Sequence, residues 1–258
     1  MVTVTVVGCG NLGSALLKGL AEHGDHELIG YDVDPDALEG VEPYCARTTT
    51  DLESATQSPI VVLAVKPSVI DDVLQSLDLT AAQTLVTAAA GVPKAFVENR
   101  TDATVVRIMP NLAAETGTMA TAVTWDEPND DVAELLEDLG EYEVVDEDLM
   151  NAATALNGSG PAFVFYFIQA MKSAAVEAGF DPDEAETLSA QTFRGAARTV
   201  LESEQTVDEL IDAVCSPNGT TIEGMEVLWD SDVESVVGKA LFAALDRSAE
   251  IAEGFDGD

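Results

Sequence analysis

The chain has 258 residues, enough for one large domain or two medium ones, and 47% of them are apolar, so a sizeable core can form. Asp and Glu number 48 against 11 Lys and Arg, a net charge of −37 that disfavours nucleic acid and anionic membrane as partners. No apolar run approaches the ~18 residues of a membrane span.

Met1-Val2-Thr3-Val4 enters a strand without a basic leader, so no signal peptide is expected. The three cysteines, Cys9, Cys45 and Cys215, form no C-x-x-C pair. Their odd number argues against structural disulfides and a metal site, and a reduced cytoplasmic setting fits. The acids are spread through helical segments such as Asp130 to Asp138 rather than gathered in a tail. An acidic shell that needs salt to screen its own repulsion is the halophile solution, and a high-salt cytoplasm is expected.

In chain order, the apolar run Val2 to Val7 reads as a strand, and Ser14 to Ala21 as a helix. Between them Gly8-Cys9-Gly10-Asn11-Leu12-Gly13 spells G-x-G-x-x-G. In such a turn Gly8 permits the bend, Gly10 lets backbone N–H groups approach a pyrophosphate, and Gly13 lets the helix pack on the strand. The helix start adds free N–H donors and a positive dipole end. An ordinary strand-to-helix turn uses the same residues, but the flanking pattern favours a dinucleotide. Glu27 to Tyr31 reads as the second strand and ends at Asp32, nineteen residues after Gly13. A carboxylate there accepts hydrogen bonds from adenosine ribose hydroxyls and repels a 2′-phosphate, which favours NADH over NADPH. Asp32, with Asp34 and Pro35, could instead only start a turn and cap the next helix.

Asp51 is expected to cap a short helix running through Gln57. Pro59 to Val65 is a continuous apolar run, suited to a parallel strand covered on both faces, and it stops at Lys66-Pro67. A helical segment from Val69 to Leu77 follows, then strands at Leu85 to Ala90 and Thr104 to Met109, ending at Gly91 and Pro110-Asn111. Gly117 to Thr124 and Tyr142 to Val145 are further strand candidates, with a helix over Pro128 to Leu139. Strands alternating with helices predict an α/β fold with a doubly wound, mostly parallel sheet of the Rossmann type. Its ligands should lie off the carboxyl ends of the strands.

After Asp146 apolar residues recur at helical spacing, so a boundary is placed near residue 150, with a dinucleotide-binding domain over 1–150 and an all-α domain over 151–258. Helices are predicted over roughly 161–179, 183–203, 207–214, 220–229 and 233–253. Ala162 to Ile168 is apolar almost all round, as expected of a helix buried in a core or in a subunit interface, and a homodimer is expected. Two irregular stretches interrupt this half: Asn157-Gly158-Ser159-Gly160-Pro161, and Cys215-Ser216-Pro217-Asn218-Gly219-Thr220-Thr221. The second offers hydroxyls and free N–H groups at a helix start, a neutral cradle for a small carboxylate, although plain helix caps use the same residues. His23 and His26 are expected at the surface, Trp125 and Trp229 in packing, and Lys66 as the one cation near the site.

Gly8 to Gly13, Ala64-Val65-Lys66-Pro67, Ala89 to Val92, Arg107 to Asn111, Gly158 to Ala162, and Ser216-Pro217 with Gly219-Thr220-Thr221 together resemble the pyrroline-5-carboxylate reductase family, over essentially the whole chain. The resemblance implies NAD(P)H-dependent reduction of a cyclic imino acid to L-proline, and a helical domain that interlocks with its twin in a dimer or a larger ring. It implies that Ser216, Asn218, Gly219, Thr220 and Thr221 bind the substrate carboxylate, with the Thr221 hydroxyl at the substrate nitrogen. It places Gly8, Gly10, Asn11, Leu12, Gly13, Asp32, Asp51, Ala64, Val65, Lys66, Pro67, Ala90 and Asn111 along the cofactor.

The chain departs from the family pattern at several positions. Asn157 replaces a serine, Asn218 the first glycine of Pro-Gly-Gly, Leu112-Ala113 a Thr-Pro, and Ser68 a glutamine. Asp51 stands for an asparagine near the ribose, which again favours NADH. Asn tolerates a left-handed backbone, so the Asn218 loop can keep its shape. Two alternatives remain. A β-hydroxyacid dehydrogenase needs a lysine soon after Pro161, where Lys172 comes too late. A non-catalytic NAD-sensing protein would not need the Ser216–Thr221 cradle.

Overall fold

The first apolar run folds as β1 (Thr3–Val7), and the G-x-G-x-x-G turn leads it into α1 (Asn11–His23). The structure is a computed structural model and describes residues 1–255. The chain continues through β2 (Glu27–Tyr31), α2 (Pro35–Glu39), β3 (Arg47–Thr49), α3 (Leu52–Ala55), β4 (Ile60–Leu63) and α4 (Ile70–Ser76). Then come β5 (Thr84–Thr87), α5 (Lys94–Glu98), β6 (Thr104–Met109), β7 (Met119–Thr124), α6 (Asp130–Leu139) and β8 (Gly140–Val144). The eight strands form one sheet in the order β3-β2-β1-β4-β5-β6-β7-β8. Pairing is parallel from β3 to β6, β7 runs antiparallel to β6, and β8 is parallel to β7.

Period-two alternation splits the core into two layers. Val4, Val6, Val62, Val86, Val106 and Ile108 face α1 and α6 on one side. Val7, Val61, Leu63, Leu85 and Val105 face α4 and α5 on the other. All four residues of β4 are buried, as its unbroken apolar run requires. Each fully buried Val or Leu contributes about 1.5–3 kcal/mol. The strand order turns back between β1 and β4, which makes the crevice beyond their carboxyl ends the place for a ligand.

One close contact sets the seat of α1. A Cβ at Gly19 would lie 2.3 Å from the carbonyl oxygen of Ala114, so the helix backbone rests directly on the 3-10 turn Leu112–Thr116 that follows β6. Lys18 and Glu115 pair across the same contact at 3.5 Å.

The chain divides into two compact units, Met1–Ser159 together with the segment from Ala243 onward, and Gly160–Phe242. The cut at residue 150 does not coincide with this division. α7 (Met150–Ala153) and the turn after it stay with the sheet, where Met150 is fully buried against Met109 and Ala122. The end of α12 (Val233–Glu253) also belongs to the first unit. There a Cβ at Gly91 would meet Ile251 at 2.6 Å, and Ser248 donates to Asn151 at 2.8 Å. The second unit holds α8 (Gly160–Glu177), α9 (Pro182–Glu202), α10 (Val207–Val214), α11 (Thr220–Trp229) and the start of α12. α8 buries none of its residues within the chain, and Phe165, Tyr166 and Phe242 stand exposed.

Four local features differ from what the sequence predicts. Asn157-Gly158 is not an irregular stretch but part of a π-helical turn, Thr154–Gly158, that runs almost without break into α8. β3 is an added strand, short and without an apolar pattern. His26 is not a surface residue: its side chain is fully buried, with Nε2 2.8 Å from Asp138 Oδ2. The N–H of Val2 approaches its Nδ1 at 3.4 Å. Trp125 packs edge-on against Tyr142, as expected, whereas Trp229 is exposed.

Candidate functional site

The glycine turn has the geometry its spacing calls for. Gly8 sits at φ +97°, and a Cβ there would lie 2.9 Å from the carbonyl oxygen of Ala64. A Cβ at Gly13 would fall 1.8 Å from the oxygen of Gly8, so α1 packs where no side chain fits. At Gly10 a Cβ would meet nothing within 4 Å. Its smallness serves no internal contact and leaves open space in front of the helix. Gly10 is also the N-cap of α1 and supplies no side-chain cap, so the N–H groups of Asn11, Leu12 and Gly13 remain donors for an incoming anion. Ser14 turns inward and donates to the carbonyl oxygen of Cys9 at 2.7 Å.

Asp32 is fastened at the end of β2 from both sides. The Cys9 N–H donates to its Oδ2 at 2.7 Å and the Asp34 N–H to its Oδ1 at 2.9 Å. A carboxylate has about four acceptor sites. The remaining two are held in a fixed direction next to the glycine turn. Asp34 caps α2, its carboxylate accepting from the Asp36 N–H at 3.1 Å, so capping falls to Asp34 and not to Asp32. Burial, then the Asp32 and Cys45 charges, push the Cys9 thiol up to about 12. Burial pushes Cys45 up to about 11, so neither is a ready nucleophile.

A cleft of about 690 Å³ opens here, lined by Gly8, Gly10, Asp32, Ala64, Val65 and Lys66 among others. Six of the anticipated cofactor residues thus meet at one crevice, with Asn11, Leu12 and Gly13 at its helix start. Lys66 is exposed, and Pro67 opens a 3-10 turn beside it. Among the described residues Lys66 makes no ion pair. Asp51 occupies the N-cap position of α3, which ends at Ala55, but its carboxylate makes no cap bond, and its neighbour Leu52 lines the cleft. The far wall is formed by Val69, Asp72, Val73 and Ser76, none of which belongs to the motifs that mark the site in the sequence. Their spacing of i, i+3, i+4 and i+7 on one helical face was the available signal.

Ala90 and Asn111 lie elsewhere at the strand ends. Ala90 packs against the Met109, Ala122 and Met150 cluster. Asn111 follows β6, and its Oδ1 accepts from the Ala113 N–H at 3.0 Å, which caps the next turn. Asn157, expected in an irregular stretch and without a site role, donates from its side chain to the carbonyl oxygens of Met109 and Ala120.

The residues anticipated for the substrate all lie in the second unit. Asn218 is at φ +59°, the left-handed backbone that asparagine tolerates. The Gly219 N–H closes a turn onto the carbonyl oxygen of Ser216 at 2.9 Å, and a Cβ at Gly219 would strike the Ser216 hydroxyl at 2.4 Å. Gly219 is the N-cap of α11 and provides no side-chain cap. Among the described residues the hydroxyls of Ser216, Thr220 and Thr221 take no hydrogen bond, so the capping alternative is not what they do. Lys172 is held by Glu186 of α9, which removes it as a free base for the dehydrogenase alternative. No group of His, Cys, Asp and Glu able to hold a metal exists among the described residues.

Two family models match the chain, one described as pyrroline-5-carboxylate reductase dimerisation over residues 147–251, the other as NADP oxidoreductase, coenzyme F420-dependent, over residues 3–91. A pyrroline-5-carboxylate reductase of Methanosarcina acetivorans is 37% identical, the match covering 96% of this chain and 97% of the relative. The Escherichia coli enzyme of that name is 32% identical over the same shares. Among solved structures, the Coxiella burnetii reductase superposes with a TM-score of 0.85 at 32% identity, covering 97% of this chain and 98% of that one. The Plasmodium falciparum reductase, with NADP bound, gives 0.86 at 25% identity over the same shares.

Proposed function

Since the chain belongs to the pyrroline-5-carboxylate reductase family, we propose that it reduces 1-pyrroline-5-carboxylate to L-proline, drawing on NADH in preference to NADPH. The nicotinamide cofactor, when bound, supplies a hydride to the imine carbon; the ring nitrogen keeps the proton it carries as an iminium. The cleft fits a dinucleotide because Gly10 leaves room in front of an uncapped helix start. In this reading Gly8 to Gly13 hold the pyrophosphate, and Asp32, with Asp51 nearby, takes the adenosine ribose. Ala64 to Pro67, Ala90 and Asn111 line the path to the nicotinamide. The Ser216–Thr221 turn receives the substrate carboxylate on backbone N–H groups and hydroxyls. Thr221 directs its hydroxyl at the substrate nitrogen and so orients the imine. Orientation and an anion cradle suffice for this chemistry, which needs no nucleophile or metal from the protein.

The single observation that carries the cofactor preference is the doubly tethered Asp32 carboxylate. It cannot turn away from a 2′-phosphate without breaking two backbone bonds, and Asp34 beside it adds charge of the same sign. Initial rates with NADH and NADPH in parallel, in molar KCl, test this. We expect kcat/KM to favour NADH by at least about tenfold, the effect of ~1.4 kcal/mol. Equal values would defeat the role given to Asp32.

The division of labour follows the same reading, with dinucleotide binding in the sheet-bearing half, 1–150, and substrate binding and dimerisation in the helical half, 151–258, whose two ends, α7 and the last turns of α12, pack with the sheet unit. The match to a dimerisation model and the bare face of α8 support a homo-oligomer, its size open between a dimer and a larger ring. The net charge of −37 supports a halophilic protein, and three unpaired thiols suit a reducing cytoplasm.

A further inference from the structure

At the carboxyl end of β6 the antiparallel ladder with β7 stops at the pair Met109–Ala122. The next residue, Pro110, has no N–H to continue it. Carbonyl oxygens at this end therefore need donors from outside the sheet. Asn157 supplies them. Its Nδ2 donates to the carbonyl oxygen of Met109 at 2.6 Å and to that of Ala120 at 3.0 Å, one proton for each strand.

The aim of this side chain depends on the π-helical turn. The Ser159 N–H bonds to the carbonyl oxygen of Thr154, five residues back, at 2.9 Å. That one-residue widening rotates the turn relative to an α-helix and points Asn157 at the strand ends. The side chain of Met109 is enclosed as well. It packs with Met150 and Ala122, and a Cβ at Gly158 would lie 3.4 Å from its sulfur. Upstream on β6, buried Arg107 pairs with Glu147, which also accepts from the Lys94 N–H at 3.0 Å. The segment from Glu147 to Gly158 is thus pinned to β6 at two points, and the second is one residue from Pro110-Asn111.

We propose that Asn157 is a positioning residue for hydride transfer: by holding the Met109 and Ala120 carbonyls together it fixes Pro110-Asn111 at the nicotinamide end of the cofactor path. The inference rests on the reductase reading. It also gives a reason for asparagine here: a hydroxyl has one proton and could hold one of the two carbonyls, and a carboxylate could hold neither.

The test compares Asn157→Ala and Asn157→Ser with the full-length parent in KCl. Misplacement by about 1 Å costs on the order of 10²-fold in rate. Asn157→Ala should lose roughly 10- to 100-fold in kcat, while the Kd for NADH, read by fluorescence, changes less than about twofold. The deuterium isotope effect with NADH labelled on the transferred position should rise, because the hydride step becomes limiting. Asn157→Ser should fall between. Without cofactor, amide exchange over Asn111–Thr116 should speed up in Asn157→Ala, with the Gly8–Gly13 turn unchanged. Should Asn157→Ala fail to fold, Asn157→Ser decides by the same readouts. Unchanged kcat and isotope effect, or a rate loss that only follows a loss of cofactor affinity, would overturn the proposal and leave the reductase reading intact. No NADH oxidation by the parent protein would overturn both.

Discussion

Gly10 and Gly13 stand three residues apart in one motif, yet alanine at each should fail in opposite ways. At Gly13 the new Cβ would lie 1.8 Å from the Gly8 oxygen, a backbone atom, so the turn and helix must separate by more than an ångström. Overpacking of this kind costs about 3 kcal/mol or more. At about 2–4 °C per kcal/mol for a chain of this size, that lowers Tm by roughly 6–12 °C. At Gly10 the Cβ meets open space, and φ −67° with ψ −164° is allowed for any residue. Losing glycine as an N-cap costs about 0.5–1 kcal/mol, and the stiffer unfolded chain returns about as much. The Tm of Gly10→Ala without cofactor should therefore stay within about 2 °C. The same methyl stands where the pyrophosphate is proposed to lie. Losing one charge-assisted hydrogen bond removes about 1.5–3 kcal/mol, a rise of roughly 10- to 150-fold in the Kd for NADH. Thermal melts and NADH fluorescence titrations in the same buffer separate the two. Gly10→Ala binding NADH with parental affinity would refute the placement of the pyrophosphate; a Gly13→Ala melting like the parent would refute the packing argument.

Thr221→Ala should lower kcat by about 10- to 100-fold with the NADH Kd retained, in keeping with loss of an orienting hydroxyl; unchanged kinetics would remove its role. The raised thiols give a sign at alkaline pH. Cys9 and Cys45 ionise near 9.0 when unfolded but at about 12 and about 11 in the fold, so their contribution is fully present below pH 9 and is lost as pH rises through those values. Melts from pH 8 to 11 should show a decline that Cys9→Ala softens, and a thiol reagent at pH 8 should modify half-exposed Cys215 well before buried Cys9. Raising KCl from 0.1 to 2 M should increase Tm by about 5 °C or more, through screening of the acidic surface; a flat response would sink the halophile reading.

The helices of the second half were legible because helical spacing is a local property. The predicted 207–214, 220–229 and 233–253 match α10, α11 and α12. The glycine turn and Asp32 were legible for the same reason, since fixed offsets follow a strand whose apolar run is unmistakable. What escaped depended on contacts far apart in sequence. His26 looks like a surface residue until Asp138, 112 residues away, comes to meet it. β3 carries no apolar pattern because it is an edge strand whose place is set by β2. Asn157 read as a loop residue because a π-turn has no sequence signature, and its partners lie 48 and 37 residues away. The sheet-side location of α7 was hidden for a like reason: Met150 is an ordinary apolar residue, buried only by strands that precede it.

The seat of Gly19 on Ala114 joins the helix that offers N–H groups to the proposed pyrophosphate and the turn that follows Asn111. The spacing between the two ends of the proposed cofactor path is therefore gauged by a helix backbone resting on a turn backbone, with Leu139 packed beside the contact. A length standard made this way is indifferent to what the surface carries. The chain can carry 48 acidic residues, most of them away from this contact, while the proposed reach from phosphate to ring stays the same. Adaptation of the shell and conservation of the stroke are separable, and a single glycine keeps them so.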